Sequence, residues 1–393
     1  MMKSKFVVNV ITGQAGAGHY ATYHAIQALV EQQNLPWDLQ IIDVDALITN
    51  LSQQNQVKNA YNLFGISSHD LYNLMIKRGW TWLLPFLMRL NKLLIKFNYE
   101  VGLKILEQFW HDYQPNLVIS VLPLFNKLIW DSIQRAKPDT PVVTLLTDFA
   151  DSPPAFWIEP ETENYVVCGT QRAVTQARLM GVKEERIVRT SGLVIHPNFH
   201  QSISWDRSRE REKLGLDPNC ATGLVLFGGN GSNVMLDIAK HLETFQDKLQ
   251  LIFLCGRNEA LASALRQSSG RQKRFVTTFT KDIPYYMHLA DFFIGKPGNV
   301  SISEALVMKL PVITEKNALT MIQEKYCCEF ITEQEVGIVL SHFRDIEQAV
   351  TQLIQPDNYS RYQTNLNCLN NQAVFEVITL LQTILEQSSL SVR

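Results

Sequence analysis

Along the first half of the chain, short runs rich in β-branched residues alternate with longer stretches whose apolar positions recur at helical spacing. The runs are VVNVIT at 7–12, LQIIDV at 39–44, NLVISVL at 116–122, VVTLLTDF at 142–149, NYVVCGT at 164–170 and IVRTSGL at 187–193. Near-continuous apolar runs separated by helix-length segments predict parallel strands covered on both faces by crossover helices. The pattern then restarts, with TGLVLFGG at 222–229, LQLIFLCG at 249–256, RFVTTFT at 274–280, FFIGK at 292–296 and PVITE at 311–315. The expectation is an α/β chain of two doubly wound, Rossmann-like domains, residues 1–200 and 201–393. The polar stretch around Pro197 is the expected linker, since few buried contacts can form there. Open α/β sheets bind ligands at the carboxyl ends of their strands, so the site is expected in a cleft between the halves. Residues 371–385 carry Val374, Val377, Leu380, Leu381 and Ile384 at helical spacing. They predict a closing helix of the second domain, followed by a frayed SSLSVR tail.

Composition narrows the class. The 393 residues include 36 Lys plus Arg and 38 Asp plus Glu, a net charge of −2, with 46% hydrophobic and 19% charged residues. Such a chain buries a large core, which excludes disordered, collagenous and disulfide-scaffold proteins. It has no overall attraction for phosphate backbones, so no nucleic-acid partner is expected. The six cysteines are scattered without a CxxC pair or zinc-type spacing and read as reduced thiols of a cytoplasmic chain. The apolar run Phe6 to Ile11 is too short for a signal-peptide core, and no run reaches the roughly 18 apolar residues of a membrane span.

One segment departs from the globular pattern. Residues 61–110 interleave Tyr61, Phe64, Tyr72, Trp80, Trp82, Phe86 and Phe97 with Lys77, Arg78, Arg89, Lys92, Lys96 and Lys104. A basic, aromatic, amphipathic helix pair suits an anionic membrane interface, which would place the protein on the inner face of a membrane. The same residues also suit a helix pair packed on the sheet with solvated lysines, and Pro85 interrupts the segment.

Candidate chemistry lies at strand ends. The first strand runs into Gly13-Gln-Ala-Gly16-Ala-Gly18-His19, with a helix expected from about Tyr20. Gly16-x-Gly18-x-x-Ala21, with Asp43 or Asp45 after the second strand, matches a dinucleotide fingerprint and makes an NAD-dependent oxidoreductase one alternative. That reading leaves His19 without a role. A helix N-terminus disfavours positive charge, so an imidazole there stays neutral near pH 7 and can act as a general base, unless it merely caps the helix. Asp148, at the end of a buried strand, either orients such a base, binds a hydroxyl or caps a helix. Asp43-Val44-Asp45 has the form of a DxD metal site, but strand-end acids are common and no metal is expected.

In the second half, a strand ends at Gly295 and a Pro-Gly turn follows. A helix is expected from about Ser301, with Glu304 in its first turn. Such a helix terminus is an anion site suited to a nucleotide diphosphate, and Glu304 either accepts from a ribose diol or closes a capping box with Ser301.

The stretch GKPGNVSISEALVMKLPVITEKNALTMIQEKY resembles the nucleotide-sugar signature of glycosyltransferase family 28. These GT-B enzymes include monogalactosyldiacylglycerol synthases and, more distantly, the peptidoglycan GlcNAc transferase. GAGH at 16–19 resembles the GGGH motif of the diacylglycerol galactosyltransferases. TDF at 147–149, SGLVIHPNF at 191–199, FGGNGS at 227–232 and LCGRN at 254–258 follow in the family's order. The resemblance implies a metal-independent, inverting hexosyltransferase that uses a UDP-sugar as substrate, needs no cofactor and acts on a lipid-like acceptor. By residue it implies His19 as base, with Gly16 and Gly18 in the acceptor loop. It implies UDP contacts at Gly229, Gly231, Gly256, Arg257, Gly298, Asn299, Val300 and Ser301, and a ribose contact at Glu304. Donor-sugar contacts are implied at Asn317, Gln323 and Glu324. The chain departs from the family in GAGH for GGGH and in its Lys-Pro-Gly-Asn-Val turn. A non-catalytic nucleotide-sugar or membrane-binding protein is the remaining alternative.

Overall fold

The computed structural model describes residues 6–13, 17–44, 46–47, 99–268 and 270–391. They divide into two units: unit 1 comprises the chain up to His196 with Met321–Gln323 and the stretch from Gln372 onward, and unit 2 comprises Pro197–Thr320 and Glu324–Asn371.

Unit 1 is built on β1 (Phe6–Thr12), β2 (Trp37–Asp43), β3 (Leu117–Ser120), β4 (Val142–Leu145), β5 (Tyr165–Cys168) and β6 (Ile187–Arg189). They form one parallel sheet in the order β2-β1-β3-β4-β5-β6. The sheet is flanked by α1 (Ala17–Gln32), α2 (Tyr99–Tyr113), α3 (Asn126–Ala136) and α4 (Gln171–Leu179). All six strands fall on runs read from the sequence, because a parallel strand covered on both faces has no polar alternation to blur its outline.

Unit 2 repeats the plan with β7 (Ala221–Leu226), β8 (Leu249–Leu254), β9 (Arg274–Thr277), β10 (Phe292–Gly295), β11 (Val312–Glu315) and β12 (Gly337–Leu340). Its order is β12-β11-β10-β7-β8-β9, again parallel. The helices are α5 (Arg207–Lys213), α6 (Val234–Leu242), α7 (Glu259–Gln267), α8 (Ile283–Leu289), α9 (Asn299–Val307), α10 (Lys325–Glu333), α11 (Ile346–Leu353) and α12 (Pro356–Cys368). β12 has no counterpart in the sequence reading: four part-buried residues at a sheet edge give too short a pattern to stand out.

Three expectations change. The last helix, α13 (Ala373–Ser391), is not part of the second unit's core. Its Val374, Val377, Ile378, Leu381, Ile384 and Leu385 are buried with Val8, Val10, Ile26 and Leu29 in the core of unit 1. Helical spacing defined its apolar face, but a face does not name its partner. The helix also continues through the serine tail to Ser391, with Ser388 Oγ donating to the Ile384 carbonyl at 2.9 Å.

The stretch after His196 is packed rather than loose: Pro197 and Phe199 are buried in a 3-10 turn. The charged run that follows forms α5, and Arg211 on it is only 4% exposed. Its guanidinium donates to Asp291 Oδ2 at 2.9 Å and to the carbonyls of Leu289, Pro218 and Cys220. Asp291 also accepts from the Thr222 amide at 2.7 Å, so one ion pair ties α5 to the start of β7 and the approach to β10.

The aromatic, basic segment is described only from Tyr99; residues 61–98 lie outside the described residues. From there on it is core, since α2 buries Leu103, Leu106, Phe109 and Trp110 with Val118, Ile129 and Ile133. Trp110 Nε1 donates to Ser132 Oγ at 2.8 Å, which fixes α2 against α3.

Leu381→Ala removes a fully buried side chain from the α13 contact. It should destabilise the protein by about 2–5 kcal/mol. Hydrogen exchange should show the loss of protection in β1 and α1, with β7 and β8 unchanged; loss in unit 2 instead would contradict this placement.

Candidate functional site

In unit 2 the sheet order reverses between β7 and β10, so the chain leaves these adjacent strands in opposite directions and opens a crevice at their carboxyl ends. Two glycine turns border it, Gly228-Gly229 after β7 and Pro297-Gly298 after β10.

The glycines do different work. Among the described residues no atom lies within 4 Å of a Cβ built on Gly229, so that face of the turn is open to them. At Gly231 (φ +61) a Cβ would come within 2.6 Å of the Cys255 carbonyl oxygen, and at Gly256 (φ +59) it would overlap the Gly229 carbonyl. The Arg257 amide donates to that same carbonyl at 2.8 Å. Gly231 and Gly256 therefore let the turns after β7 and β8 interlock, leaving Gly229 to face outward. Arg257 is exposed, with its guanidinium 5.1 Å from the Phe279 ring centroid, and Asn258 caps α7 through the Leu261 amide.

The sequence placed the start of α9 near Ser301 and Glu304 in its first turn. In the structure α9 begins at Asn299 and Gly298 is its N-cap, a residue that brings no side chain of its own to the first turn. The amides of Asn299, Val300 and Ser301 stand in the first turn, at the positive end of the helix. Ser301 Oγ donates to the Gly298 carbonyl at 3.1 Å, so the capping box does not form.

Glu304 stands in the second turn. Its side chain keeps part of its surface in solvent, but its carboxyl is enclosed and desolvation pushes its pKa up to about 8. Burial is the cause of that shift, and no described charge offsets it. An enclosed acceptor of this kind is suited to donor groups from a ligand.

The remaining donor-sugar candidates follow β11. The Asn317 side-chain oxygen accepts from the Leu319 amide at 2.8 Å and shapes its own turn. Gln323 and Glu324 end the 3-10 turn Ile322–Glu324. Gln323 Nε2 lies 3.6 Å from the Met321 sulfur. Glu324 is buried, and Lys296 Nζ reaches its Oε1 at 3.3 Å. Burial pushes the Glu324 pKa up, and the Lys296 charge offsets this in part.

In unit 1, α1 begins at Ala17, so His19 sits inside its first turn and Gly18 is helical; Gly16 lies outside the described residues. The His19 ring lies 5.9 Å from that of Trp157, which is fully buried. Trp157 Nε1 donates to Asp148 Oδ2 at 2.8 Å. The two polar candidates therefore meet the same indole. Sequence reasoning missed Trp157, since nothing in its spacing distinguishes it from a core aromatic. The loop that carries it is held by Asp151, whose carboxylate accepts from the amides of Ala155, Phe156 and Trp157.

Asp43, the ribose-binding acid of the dinucleotide reading, is engaged otherwise. Its carboxylate accepts from the Tyr20 hydroxyl at 3.2 Å and from the Ala46 amide at 3.0 Å. Asp45 lies outside the described residues. Among the described residues no three His, Cys, Asp or Glu side chains cluster as a metal site, and no helix is long and apolar enough to cross a membrane.

Comparison with known proteins gives two family matches in series. The monogalactosyldiacylglycerol synthase family model matches residues 21–195, and the glycosyltransferase family 28 C-terminal domain matches residues 224–317. The chain is 27% identical over 290 residues to a probable monogalactosyldiacylglycerol synthase 2, chloroplastic, of Oryza sativa subsp. japonica, covering 70% of this chain and 60% of the relative. It is 27% identical over 303 residues to the processive diacylglycerol beta-glucosyltransferase of Bacillus subtilis, covering 75% of each. The alignments with the first plant relatives thus span about 60% of those proteins' length. Among solved structures, MurG of Acinetobacter baumannii superposes with a TM-score of 0.59 at 12% identity, covering 96% of this chain and 99% of that one. This likeness shows the fold.

Two outcomes follow from the geometry. Gly256→Ala forces a side chain onto the Gly229 backbone at positive φ and should cost about 1–3 kcal/mol in denaturant unfolding, whereas Gly229→Ala should be near neutral. Glu304 loses its proton near 4.5 in the unfolded chain but only near 8 when folded, so it withdraws stability as pH rises through that window. Unfolding midpoints of wild type and Glu304→Gln measured from pH 4 to 9 should diverge in that sense; parallel curves would refute it.

Proposed function

We propose that this chain, which matches the monogalactosyldiacylglycerol synthase family model over residues 21–195 and the glycosyltransferase family 28 C-terminal domain over residues 224–317, transfers a hexose from a UDP-sugar to a hydroxyl of a diacylglycerol-type acceptor, with inversion. One observation carries the reading: the glycine-capped N-terminus of α9 beside the Gly229 turn, with Glu304 in the second turn of the helix. Backbone amides there suit the two phosphates, and a carboxyl at that distance suits the ribose diol.

His19 accepts the acceptor proton as the hydroxyl oxygen attacks the anomeric carbon. The bond from that carbon to the UDP oxygen breaks, and its electron pair leaves with UDP. The amides of Asn299, Val300 and Ser301 meet the developing charge, so no metal or other cofactor has to be invoked. Asp148 acts through Trp157, holding the indole against which the His19 ring is set. Gly16 and Gly18 form the acceptor loop. Gly229 and the turn interlocked by Gly231, Gly256 and Arg257 shape the UDP site, while Asn317, Gln323 and Glu324 serve the donor sugar. A lipid acceptor implies work at an anionic membrane surface on the cytoplasmic side, which the basic composition of residues 61–98 supports. The relatives named as acting on diacylglycerol support the acceptor class.

UDP at about 100 times its dissociation constant should stabilise the protein by roughly 2.7 kcal/mol, with no comparable shift from NADH or GDP. A shift with NADH alone would restore the oxidoreductase reading. His19→Ala should lower turnover by about 10²–10⁴-fold and leave the UDP shift intact; unchanged behaviour would favour a non-catalytic binding protein.

A further inference from the structure

Lys296 opens the turn after β10, its carbonyl accepting from the Gly298 amide at 2.8 Å, yet its side chain lies against both glycine turns. Its Cε is 3.8 Å from where a Cβ of Gly228 would stand and 3.6 Å from that of Gly298. A lysine stem thus spans the mouth of the crevice at the reversal of strand order. The ammonium at its tip is only loosely held. It makes one contact with Glu324 at 3.3 Å, longer than the usual 2.7–2.9 Å of a charge-assisted bond, and the lysine side chain is 46% exposed. The glutamate side chain is only 9% exposed.

We propose that Lys296 is a donor-binding cation of this site: without donor it neutralises Glu324, and on donor binding its ammonium passes to the diphosphate and frees Glu324 for a sugar hydroxyl. The inference rests on the reading of unit 2 as a UDP-sugar site. The physical grounds are position and charge. The ammonium sits beside the α9 terminus where the phosphates would lie, and a diphosphate presents more negative charge than one carboxylate. Glu324 then exchanges one partner for another rather than being left buried and bare, which would cost it its charge. One cation serves two anions in turn, so donor binding and the readiness of Glu324 are coupled through a few ångströms of lysine movement.

The test compares uridine, UMP and UDP affinities by calorimetry in wild type, Lys296→Met, Lys296→Arg and the double variant Lys296→Met/Glu324→Gln. Wild type should prefer UDP over UMP. Lys296→Met should shrink that preference by about tenfold or more and leave uridine affinity within about twofold, and Lys296→Arg should restore most of it. Lys296→Met strands a buried carboxylate, so if it does not fold, the double variant, which removes both charges, decides by the same ratio. An unchanged preference in a variant that lacks the lysine overturns the role of Lys296 while the donor site stands. Failure of wild type to bind UDP overturns the donor site and this inference together.

Discussion

Parallel strands cannot be joined by a hairpin, so every connection in this chain must cross a sheet face and the sheet must be covered on both sides. That constraint positions the chemistry. Where the order of unit 2 reverses between β7 and β10, the crossovers depart to opposite faces and leave a crevice at the strand ends. The turns after β7 and β10 border that space, the α9 amides point toward it, and Glu304 and Lys296 sit within a helical turn or two of it. The reversal in unit 1, between β1 and β3, likewise places His19 at the start of the helix that follows β1.

Around these openings the chain uses rigid contacts to hold a few side chains in place. The interlocked turns at Gly229, Gly231, Cys255 and Gly256 are backbone on backbone, which leaves little for side-chain motion to disturb. The buried Arg211–Asp291 pair anchors the strand that leads into the Lys296 turn. In unit 1 Asp151 gathers three successive amides and so fixes Trp157, which both His19 and Asp148 meet. Charge is enclosed where it serves binding, at Glu304 and Glu324, and each carboxyl pays in a raised pKa.

The strand runs, the doubled α/β plan, the glycine turns and the Pro-Gly start of α9 were legible because they depend on local rules: apolar continuity for a strand covered on both faces, and backbone freedom at a turn. His19, Asp148 and Glu304 were legible as residues at strand ends and helix starts. Their surroundings were not. That Asp43 is taken by Tyr20 and Ala46 and that Gly256 makes room for the Gly229 backbone depend on contacts between separate parts of the chain.

The sequence by itself determined the fold class, the two-part plan, the family and the elements on which the candidate residues stand, because periodicity and turn chemistry act over a few neighbouring residues. The tertiary structure alone decided that α13 completes the core of unit 1, that Trp157 joins His19 to Asp148 and that Lys296 bridges two glycine turns to Glu324. An apolar helix face or a lysine at the end of a strand carries no record of its partner; packing across long sequence separations supplies it.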